Sequence, residues 1–427
     1  MNLRMLILFL VLLLGIYQDF PLVNTFGEIA RSPIVFMMPF FILYFLCKKK
    51  IIISSYSKVF IIYIVYLMII SLIYSIFLII KNKSLFIFEE NILIKNVKML
   101  SYPVCALLFY QFIYLFLKRT VNLAPLLKIV FYVQILLMII LFFESQVYKT
   151  EQTFLSFLHS DPSKYWRIRL LTMESSWSGS VVIIFTFVPI FLAEYLNEKK
   201  YKKIAIYLTS LFFFFYYTFH SESKGYLLLL LISLLPMLLR YMYAHKRLRY
   251  VLLMAIIPLF ISFVTGIKFL NEEIFSQLNS SITFGTRFTG YLTSLKTFLT
   301  NPFGIGLGPF MEIYTESIGE IISSDFMKSF NTLEVAQYLH TPKNLSSKTY
   351  FFDHLVFGGV FFLIFFYYFF IKRISGITSI RNNYLLKTVL IYIILSSIFY
   401  LTFHIKYEVW FFLAFIDYLE NNVHKKA

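Results

Sequence analysis

Long apolar runs alternate with short polar breaks along most of this chain. A membrane-spanning helix needs about 20 mostly apolar residues, and most of the runs approach that length. The pattern predicts about twelve such helices, near Leu3–Phe20, Pro33–Cys47, Val59–Ile80, Met99–Leu117, Leu126–Phe143, Gly179–Leu196, Ile204–Phe219, Gly225–Leu239, Tyr250–Ile267, Tyr350–Ile371, Leu385–Phe403 and Tyr407–Tyr418. Two longer polar stretches, Glu144–Ser178 and Lys268–Thr349, are predicted to be loops. The sequence therefore predicts an all-α, polytopic integral membrane protein.

Composition supports this class. Of the 427 residues, 59% are hydrophobic and 14% are charged, whereas soluble domains carry about 25% charged residues. Residues 1–427 are interpreted as a single transmembrane domain, because no other polar stretch is long enough for a soluble one. The apolar run after Arg4 is taken as a retained first span, since no small-residue cleavage site follows it. Cys47 and Cys105 lie in apolar spans and do not indicate a disulfide framework.

Basic residues predict the orientation. They cluster in alternate breaks between the apolar runs, at Lys48–Lys50 with Lys58, Lys118-Arg119, Lys199-Lys200 with Lys202-Lys203, Lys246-Arg247 with Arg249, Lys372-Arg373 with Arg381, and Lys425-Lys426. By the positive-inside rule these breaks and both termini are cytoplasmic, so both long loops lie outside. The segment Lys81–Lys98 opposes this bias. The net charge of +17 then reflects orientation and attraction to anionic lipid, and no nucleic-acid partner is indicated.

The loop Lys268–Thr349 carries the pattern of an amphipathic helix that lies on the membrane surface. Its apolar side is predicted to consist of Phe288, Tyr291, Leu292, Leu295, Phe298 and Leu299, and its other side of Thr289, Ser294, Lys296 and Thr300. Thr286 is expected to cap the helix, which places Arg287 in the first turn. Helix N-termini attract phosphate, and a guanidinium grips phosphate oxygens in pairs. Contact of Arg287 with lipid headgroups explains the same pattern.

Asn301-Pro302 is predicted to end this helix. The glycines that follow, Gly304, Gly306 and Gly308, permit close approach of the backbone to a substrate. A simple turn explains them equally well.

The outer turn His220–Gly225 places a lysine at the start of a span. Ser223 is expected to cap that helix, so Lys224 falls in the first turn, where the helix dipole disfavours a cation. A bound anion would relieve this conflict. Glu222, or extension of the lysine to the lipid headgroups, would relieve it as well.

The loop Glu144–Ser178 offers further candidates for anion binding and proton transfer. Arg167 and Arg169 are placed to pair with a diphosphate, and Glu174 is a candidate base toward a sugar hydroxyl. The alternatives are an ion pair between Glu174 and Arg169, and a role for Trp177 as an interface anchor. His340, His354 and His404 are scattered, and no metal-ligand or nucleotide-binding spacing occurs, so no metal or cofactor is indicated.

The segment GTRFTGYLTSLKTFLTNPFGIGLGPF resembles the signature of the bacterial O-antigen polymerase and ligase superfamily. Its members typically show an arginine, an aromatic or apolar helix, Asn-Pro or His-Pro, a glycine-rich turn and an aromatic residue. The matching positions here are Arg287, Asn301, Pro302, Gly304, Gly306 and Phe310. Three further segments, SKTYFFDHLVFGGVFFLIFF, HSESKGY and RIRLLTMESSWSG, are similar to other motifs of the superfamily, so the resemblance covers roughly residues 160–370.

This resemblance implies a GT-C-like fold and a metal-independent glycosyltransferase. Its expected substrates are undecaprenyl-diphosphate-linked oligosaccharides at the outer face of the bacterial plasma (inner) membrane. A membrane protein that regulates chain length is an expected partner. Ligases usually carry a histidine where this chain has Ser347-Lys348, and His340 lies earlier, so the resemblance favours a polymerase.

The predicted site follows from the same comparison. The catalytic candidates are Arg287, Arg169, Lys224, Glu174 and His340, and the substrate-binding candidates are Arg167, Gly304, Gly306, Gly308 and Tyr350. Three other interpretations stay open: an O-antigen ligase, a flippase or other transporter of lipid-linked sugars, and a structural membrane scaffold. A transporter is expected to show paired charges or broken helices deep in its spans, and the spans here are nearly free of acidic residues at mid-depth.

Overall fold

The computed structural model describes residues 3–48, 51–119, 123–147, 156–161, 167–244, 280–341, 345–380 and 383–423. The α-helices are α1 (Leu3–Ile16), α2 (Val23–Phe26), α3 (Met38–Leu46), α4 (Ser55–Asn82), α5 (Ile92–Lys118), α6 (Ala124–Val147), α7 (Ser175–Tyr195), α8 (Lys200–His220), α9 (Lys224–Ala244), α10 (Ile282–Thr300), α11 (Phe310–Ile322), α12 (Leu333–Gln337), α13 (Tyr350–Phe366), α14 (Lys372–Gly376), α15 (Tyr384–Phe399) and α16 (Tyr407–Val423). A hairpin of β1 (Phe86–Ile87) and β2 (Glu90–Asn91) joins α4 to α5. Short 3₁₀ turns occupy Glu28–Arg31, Pro33–Met37, Ser156–Leu158, Asp325–Ser329 and Ile377–Ser379, and a π-helical turn occupies Tyr367–Ile371.

Helices occur at every predicted span that falls within the described residues. The span predicted at Tyr250–Ile267 lies outside them. Within the described part of the chain, five helices are long and apolar enough to cross a membrane, at Ser55–Asn82, Ile92–Lys118, Ala124–Gln146, Ser175–Tyr195 and Tyr350–Ser379. Shorter apolar helices occur at Leu3–Ile16, Pro33–Leu46, Lys224–Leu239 and Tyr384–Phe399. The all-α membrane class is confirmed, whereas the number of twelve spans stays a prediction.

Contacts within the chain define two compact units. The first unit comprises Met1–Ile64, Ser101–Ser233 and Phe365–Ala427. The second unit comprises Val65–Leu100 and Leu234–Ile364.

The first unit is built around α7 and α16. Most residues of both helices are buried inside the protein, and α7 is apolar along most of its length. A helix that is hydrophobic all round belongs in the centre of a bundle, and α1, α6, α8 and α15 pack against one or both of them. Aromatic pairs join the two helices, with Phe185 and Phe411 stacked at 6.2 Å between ring centroids.

A buried arginine ties several helices of the first unit together. The Arg373 side chain is fully buried and donates to the carbonyl oxygen of Leu413 at 2.5 Å and to the hydroxyl of Tyr110 at 2.9 Å. The Tyr110 hydroxyl in turn donates to the Asp417 carboxylate at 2.6 Å. Burial of a charge is tolerated when it is paired and hydrogen-bonded, so this network fixes α14 against α5 and α16.

In the second unit, residues 302–308, which we call the glycine segment, pack into a break in α13. Gly359 has φ 54° and interrupts that helix. Three backbone hydrogen bonds then join the segment to α13: Ile305 N–H to Val356 O at 3.0 Å, Gly306 N–H to Phe357 O at 3.0 Å, and Val360 N–H to Pro302 O at 2.8 Å. Non-helical backbone at membrane depth is tolerated where the protein satisfies its polar groups, and these bonds do so.

The other side of the glycine segment contacts α4 and α5. The Leu307 N–H donates to Ser71 Oγ at 2.9 Å, and the Gly308 N–H donates to Asn96 Oδ1 at 2.6 Å. Gly306 has φ 76°, and a Cβ there would lie 2.4 Å from the Ser71 Cα, so only glycine fits. Ser71 lies roughly 16 Å along α4 from its end at Asn82, at about 1.5 Å per residue. The glycine segment therefore reaches deep along a spanning helix.

We expect Ser71→Ala to lower the free energy of unfolding by about 1–3 kcal/mol, because it leaves the buried Leu307 N–H without its acceptor. Thermal unfolding of the purified protein in detergent measures the effect. Ser233→Ala is the matched control, since the buried Ser233 hydroxyl donates only to Leu230 O within its own helix. Equal stability of the two variants would contradict a locking role for Ser71.

Two lysines that oppose the predicted orientation are paired within the second unit. Lys81 Nζ lies 3.4 Å from Glu312, and Lys95 Nζ lies 2.7 Å from Glu90. Their charges are thus partly neutralised by nearby carboxylates.

Candidate functional site

Arg287 lies in the second turn of α10. The helix begins at Ile282, and the side chain of Ser281 caps it by accepting from the Phe284 N–H at 3.4 Å. The prediction that Thr286 caps this helix is wrong, and the hydroxyl of Thr286 instead donates to Glu334 at 3.0 Å. Several residues in this stretch are able to cap a helix, and spacing alone does not choose among them. The helix N-terminus therefore gives no support to phosphate binding at Arg287.

The faces of α10 differ from the prediction of a helix lying on the membrane surface. Its small and polar side is the buried one, and it consists of Gly285, Thr286, Thr289, Gly290, Thr293, Ser294 and Thr297. The threonine hydroxyls are satisfied by carbonyl groups one turn earlier, as when Thr293 donates to Thr289 O at 2.8 Å. By contrast, Leu295 is 43% exposed and Leu299 is 76% exposed. Small residues at helix contacts and apolar residues outside are typical of membrane helices.

Arg287 is half-buried beside an aromatic surface. Burial raises the pKa of Tyr291, and the nearby Arg287 guanidinium opposes this shift. The Tyr291 ring stacks on Phe352 with 4.6 Å between centroids. The second unit therefore places a guanidinium next to stacked rings, on the same helix as the exposed Leu295 and Leu299.

Thr286, which precedes Arg287 in sequence, belongs to a polar group that we call the Glu334 cluster. Its other members are Glu334, Tyr338 and Lys348. The Glu334 carboxylate accepts from Thr286 and from the Tyr338 hydroxyl at 2.9 Å, and Lys348 Nζ lies 3.6 Å from it. His340, the second candidate base, is exposed just after this cluster. Sequence reasoning missed Glu334, because a single glutamate in a polar loop carries no local signal.

The other candidates of the second unit are buried. Gly304, Gly306 and Gly308 contact backbone or side chains of α4, α5 and α13, which accounts for glycine at these positions without a substrate. Tyr350 is 3% exposed at the start of α13, with its ring 4.2 Å from that of His354. The substrate-binding role of these residues stays a prediction.

In the first unit a buried carboxylate organises the segment that follows α1. The Asp19 cluster consists of Asp19, Arg31, His159 and Arg169. Asp19 accepts from Arg31 Nη1 at 3.3 Å, and His159 Nδ1 lies 2.8 Å from it. Arg169 Nη1 lies 4.0 Å from the same carboxylate, and the side chain of Asp19 is 1% exposed.

Arg169 is held from several sides. Its guanidinium donates to Asp161 O at 3.1 Å, and its backbone N–H donates to Glu144 at 2.6 Å. The sequence suggested an ion pair with Glu174, whereas the structure pairs Arg169 with Asp19. Glu174 is exposed at the start of α7, and Arg167 is half-buried. The buried pairing gives Arg169 a structural role that does not require a substrate.

Lys224 is exposed as the first residue of α9. The predicted cap is confirmed, because Ser223 Oγ accepts from the Tyr226 N–H at 3.4 Å. The Tyr226 ring packs on Tyr217, whose hydroxyl donates to Ser175 O at 2.6 Å in the first residue of α7. Lys224 therefore lies at the end of the first unit where α7 begins.

A buried ion pair lies at the same end of α7. We call Lys406, Glu408, Gln18 and Ser180 the buried ion-pair network. Lys406 Nζ donates to Gln18 at 3.2 Å, to Ser180 at 3.3 Å and to Glu408 at 3.5 Å. Glu408 also accepts from Gln18 at 2.5 Å and from Ser180 at 2.7 Å. Burial lowers the pKa of Lys406, and the Glu408 carboxylate opposes this shift.

Sequence reasoning missed this network. Its one signal was the pair of charges in HIKYEVW, set between two apolar runs. Such charges are expensive to bury and usually have a specific partner.

Fold and clusters together define an all-α membrane protein with charged groups gathered at helix ends in each unit. No family model matches the chain. Over 200 residues the chain is 28% identical to an uncharacterized 49.5 kDa protein in the cps region of Klebsiella pneumoniae. The match covers 45% of this chain and 45% of that protein, so the chain spans less than half the length of this relative.

Proposed function

We propose that the protein is a polysaccharide polymerase of the bacterial plasma membrane. In this reaction a hydroxyl of a lipid-linked repeat unit attacks the anomeric carbon of the growing glycan on undecaprenyl diphosphate. The new glycosidic bond forms as the bond to the diphosphate breaks, the hydroxyl proton passes to a base, and attack from the opposite side inverts the anomeric centre. Fixed cations that stabilise the departing diphosphate are expected to supply the largest catalytic effect.

One observation carries this proposal: a half-buried arginine stands on a helix that also exposes two leucines. Arg287 lies on α10 together with the exposed Leu295 and Leu299. A lipid-linked diphosphate needs both an apolar surface for its tail and a cation for its head, and α10 offers the two together. The similarity to a protein from a cps region supports a role in polysaccharide biosynthesis, with capsule or O-antigen as the polymer.

In the proposed mechanism Arg287, Arg169 and Lys224 bind the diphosphate. Arg167 assists them, Glu174 is the base, and His340 is the alternative base. Arg287 belongs to the second unit, whereas Arg169 and Lys224 belong to the first. Arg169 must also exchange or share its contact with Asp19 when substrate binds. Lys224 is exposed and Arg287 is half-buried, so these two residues are more accessible to a diphosphate than the buried Arg169.

The proposed orientation follows the basic residues. Both termini lie in the cytoplasm and the site faces outward, where a chain-length regulator would meet it.

A deletion strain tests the function. Loss of a polymerase should leave single repeat units attached to the acceptor, whereas loss of a ligase should leave none attached. Glycan size on gels measures the outcome, and complementation with the wild-type gene is the control. Unchanged polymer length in the deletion strain would overturn the proposal.

A transporter of lipid-linked sugars is the second candidate, because two features of the structure favour it. In α16 the Asp417 carboxylate, near the end of the predicted span Tyr407–Tyr418, is fully buried and accepts from the Tyr110 hydroxyl. In addition, α13 is broken at Gly359. Buried charges and broken helices are features of transport sites.

The side of the membrane on which lipid-linked repeat units accumulate distinguishes these candidates. Loss of a polymerase leaves them outside, accessible to a membrane-impermeant glycan-labelling reagent added to intact spheroplasts. Loss of a transporter leaves them inside and unlabelled.

A further inference from the structure

A cleft opens in the first unit at the end where α1 begins and α5 ends. Its volume is about 130 Å³. Seven of its nine lining residues are apolar and come from α1, α5 and α6, and they are Met5, Leu8, Phe116, Leu117, Pro125, Leu126 and Ile129. The other two are Arg4 and Arg119, both exposed. The cleft therefore combines an apolar wall with two guanidinium groups.

Arg119 is held in place beside the cleft. Its Nη1 donates to the hydroxyl of Tyr44 at 3.1 Å, and its guanidinium lies 5.6 Å from the centre of that ring. Among the residues that the structure describes, neither Arg4 nor Arg119 forms an ion pair with a carboxylate. A guanidinium fixed by a neutral hydroxyl keeps its charge available to an anion, and it binds phosphate oxygens in pairs.

We propose that this cleft binds an anionic phospholipid, with the headgroup phosphate between Arg4 and Arg119 and the start of an acyl chain along Leu8, Leu126 and Ile129. Small-molecule sites usually measure roughly 300–1,000 Å³, so a cleft of this size holds part of an amphiphile and leaves the rest in the bilayer. Basic pockets between spanning helices are typical binding places for anionic lipid headgroups. On the proposed orientation the lipid belongs to the cytoplasmic leaflet. The cleft is independent of the polymerase proposal.

Native mass spectrometry of the full chain in detergent tests this site. The probes are dioleoyl phosphatidylglycerol, dioleoyl phosphatidylcholine and inorganic phosphate. We expect the wild type to retain phosphatidylglycerol in preference to phosphatidylcholine. The double variant Arg4→Gln and Arg119→Gln should bind phosphatidylglycerol about 30-fold more weakly, which corresponds to a factor of about five per arginine.

Lys128→Ala is the matched control. Lys128 is an exposed cation on α6 next to the lining residue Ile129 but outside the cleft, so its removal should leave lipid binding unchanged. The double variant Arg4→Lys and Arg119→Lys should retain part of the affinity, which shows that loss in the glutamine variant is not unfolding. Equal retention of phosphatidylglycerol by the wild type and the glutamine variant would overturn the proposal. Displacement of the lipid by millimolar phosphate alone would also overturn it, since the site would then recognise a free anion.

Discussion

Arg287→Ala is expected to slow chain elongation by about 100-fold or more, so that cells carry mainly single repeat units. The physical reason is that a fixed cation aimed at a departing diphosphate stabilises charge that develops only in the transition state, and loss of one such group costs about 10²–10³ in rate. Gel analysis of glycan length, in a deletion strain that expresses the variant, measures the effect. The level of the variant in the membrane is measured in parallel, because Arg287 is half-buried.

Lys296→Ala is the matched control for this variant. Lys296 is another cation on α10, it pairs with Glu320, and it has no part in the proposed site. Its loss should leave chain length unchanged. Arg287→Lys keeps the charge but loses the paired hydrogen bonds, so intermediate chain lengths are expected. Chains of wild-type length in Arg287→Ala cells, at normal protein level, would remove Arg287 from the mechanism.

The positions of helices were predictable from the apolar runs, but their ends were not. The predicted span at Met99–Leu117 begins at Ile92 in the structure. Its first turns contain Lys95, which pairs with Glu90, and Asn96, which binds the glycine segment. Averaged hydropathy assigns such polar residues to a loop, because it is calculated from one local segment and does not depend on hydrogen-bond partners elsewhere in the chain.

The helix α10 shows a different kind of limit. Its periodicity was predicted correctly, but the period of a pattern tells only that two faces differ, and the surroundings decide which face is buried. Thr289 and Ser294 are fully buried, whereas Leu299 is 76% exposed. An apolar face stands outward where lipid surrounds the protein, since lipid tails are as apolar as leucine.

The charged candidate residues could be named from the sequence, but their partners in the structure could not. Arg169, Arg287 and Lys224 were named from sequence motifs in the polar segments between apolar runs. Their neighbours come from distant parts of the sequence, as Asp19 does for Arg169. Sequence periodicity describes only the spacing of neighbouring residues and does not predict such long-range contacts. The Asp19 cluster and the Glu334 cluster were therefore found only in the structure.

The largest expected effect on stability belongs to the buried ion-pair network. Glu408→Gln should lower the free energy of unfolding by about 3–5 kcal/mol, because it leaves the Lys406 ammonium buried without its carboxylate. That loss is a large part of the roughly 5–15 kcal/mol that stabilises a typical protein. Thermal unfolding in detergent and the amount of folded protein in the membrane measure it.

Two further variants separate charge pairing from packing. The double variant Lys406→Met and Glu408→Gln removes both charges and should recover most of the lost stability, since a buried pair can often be replaced by neutral groups of similar volume. The exposed pair Lys202–Glu198 is the control, and Glu198→Gln should cost less than about 1 kcal/mol. If the Glu408→Gln variant unfolded at the same temperature as the wild type, Lys406 would not be held as a buried cation. Because Lys406 also donates to Trp177 O at 2.8 Å in the first turn of α7, loss of the pair should loosen the segment that carries Glu174.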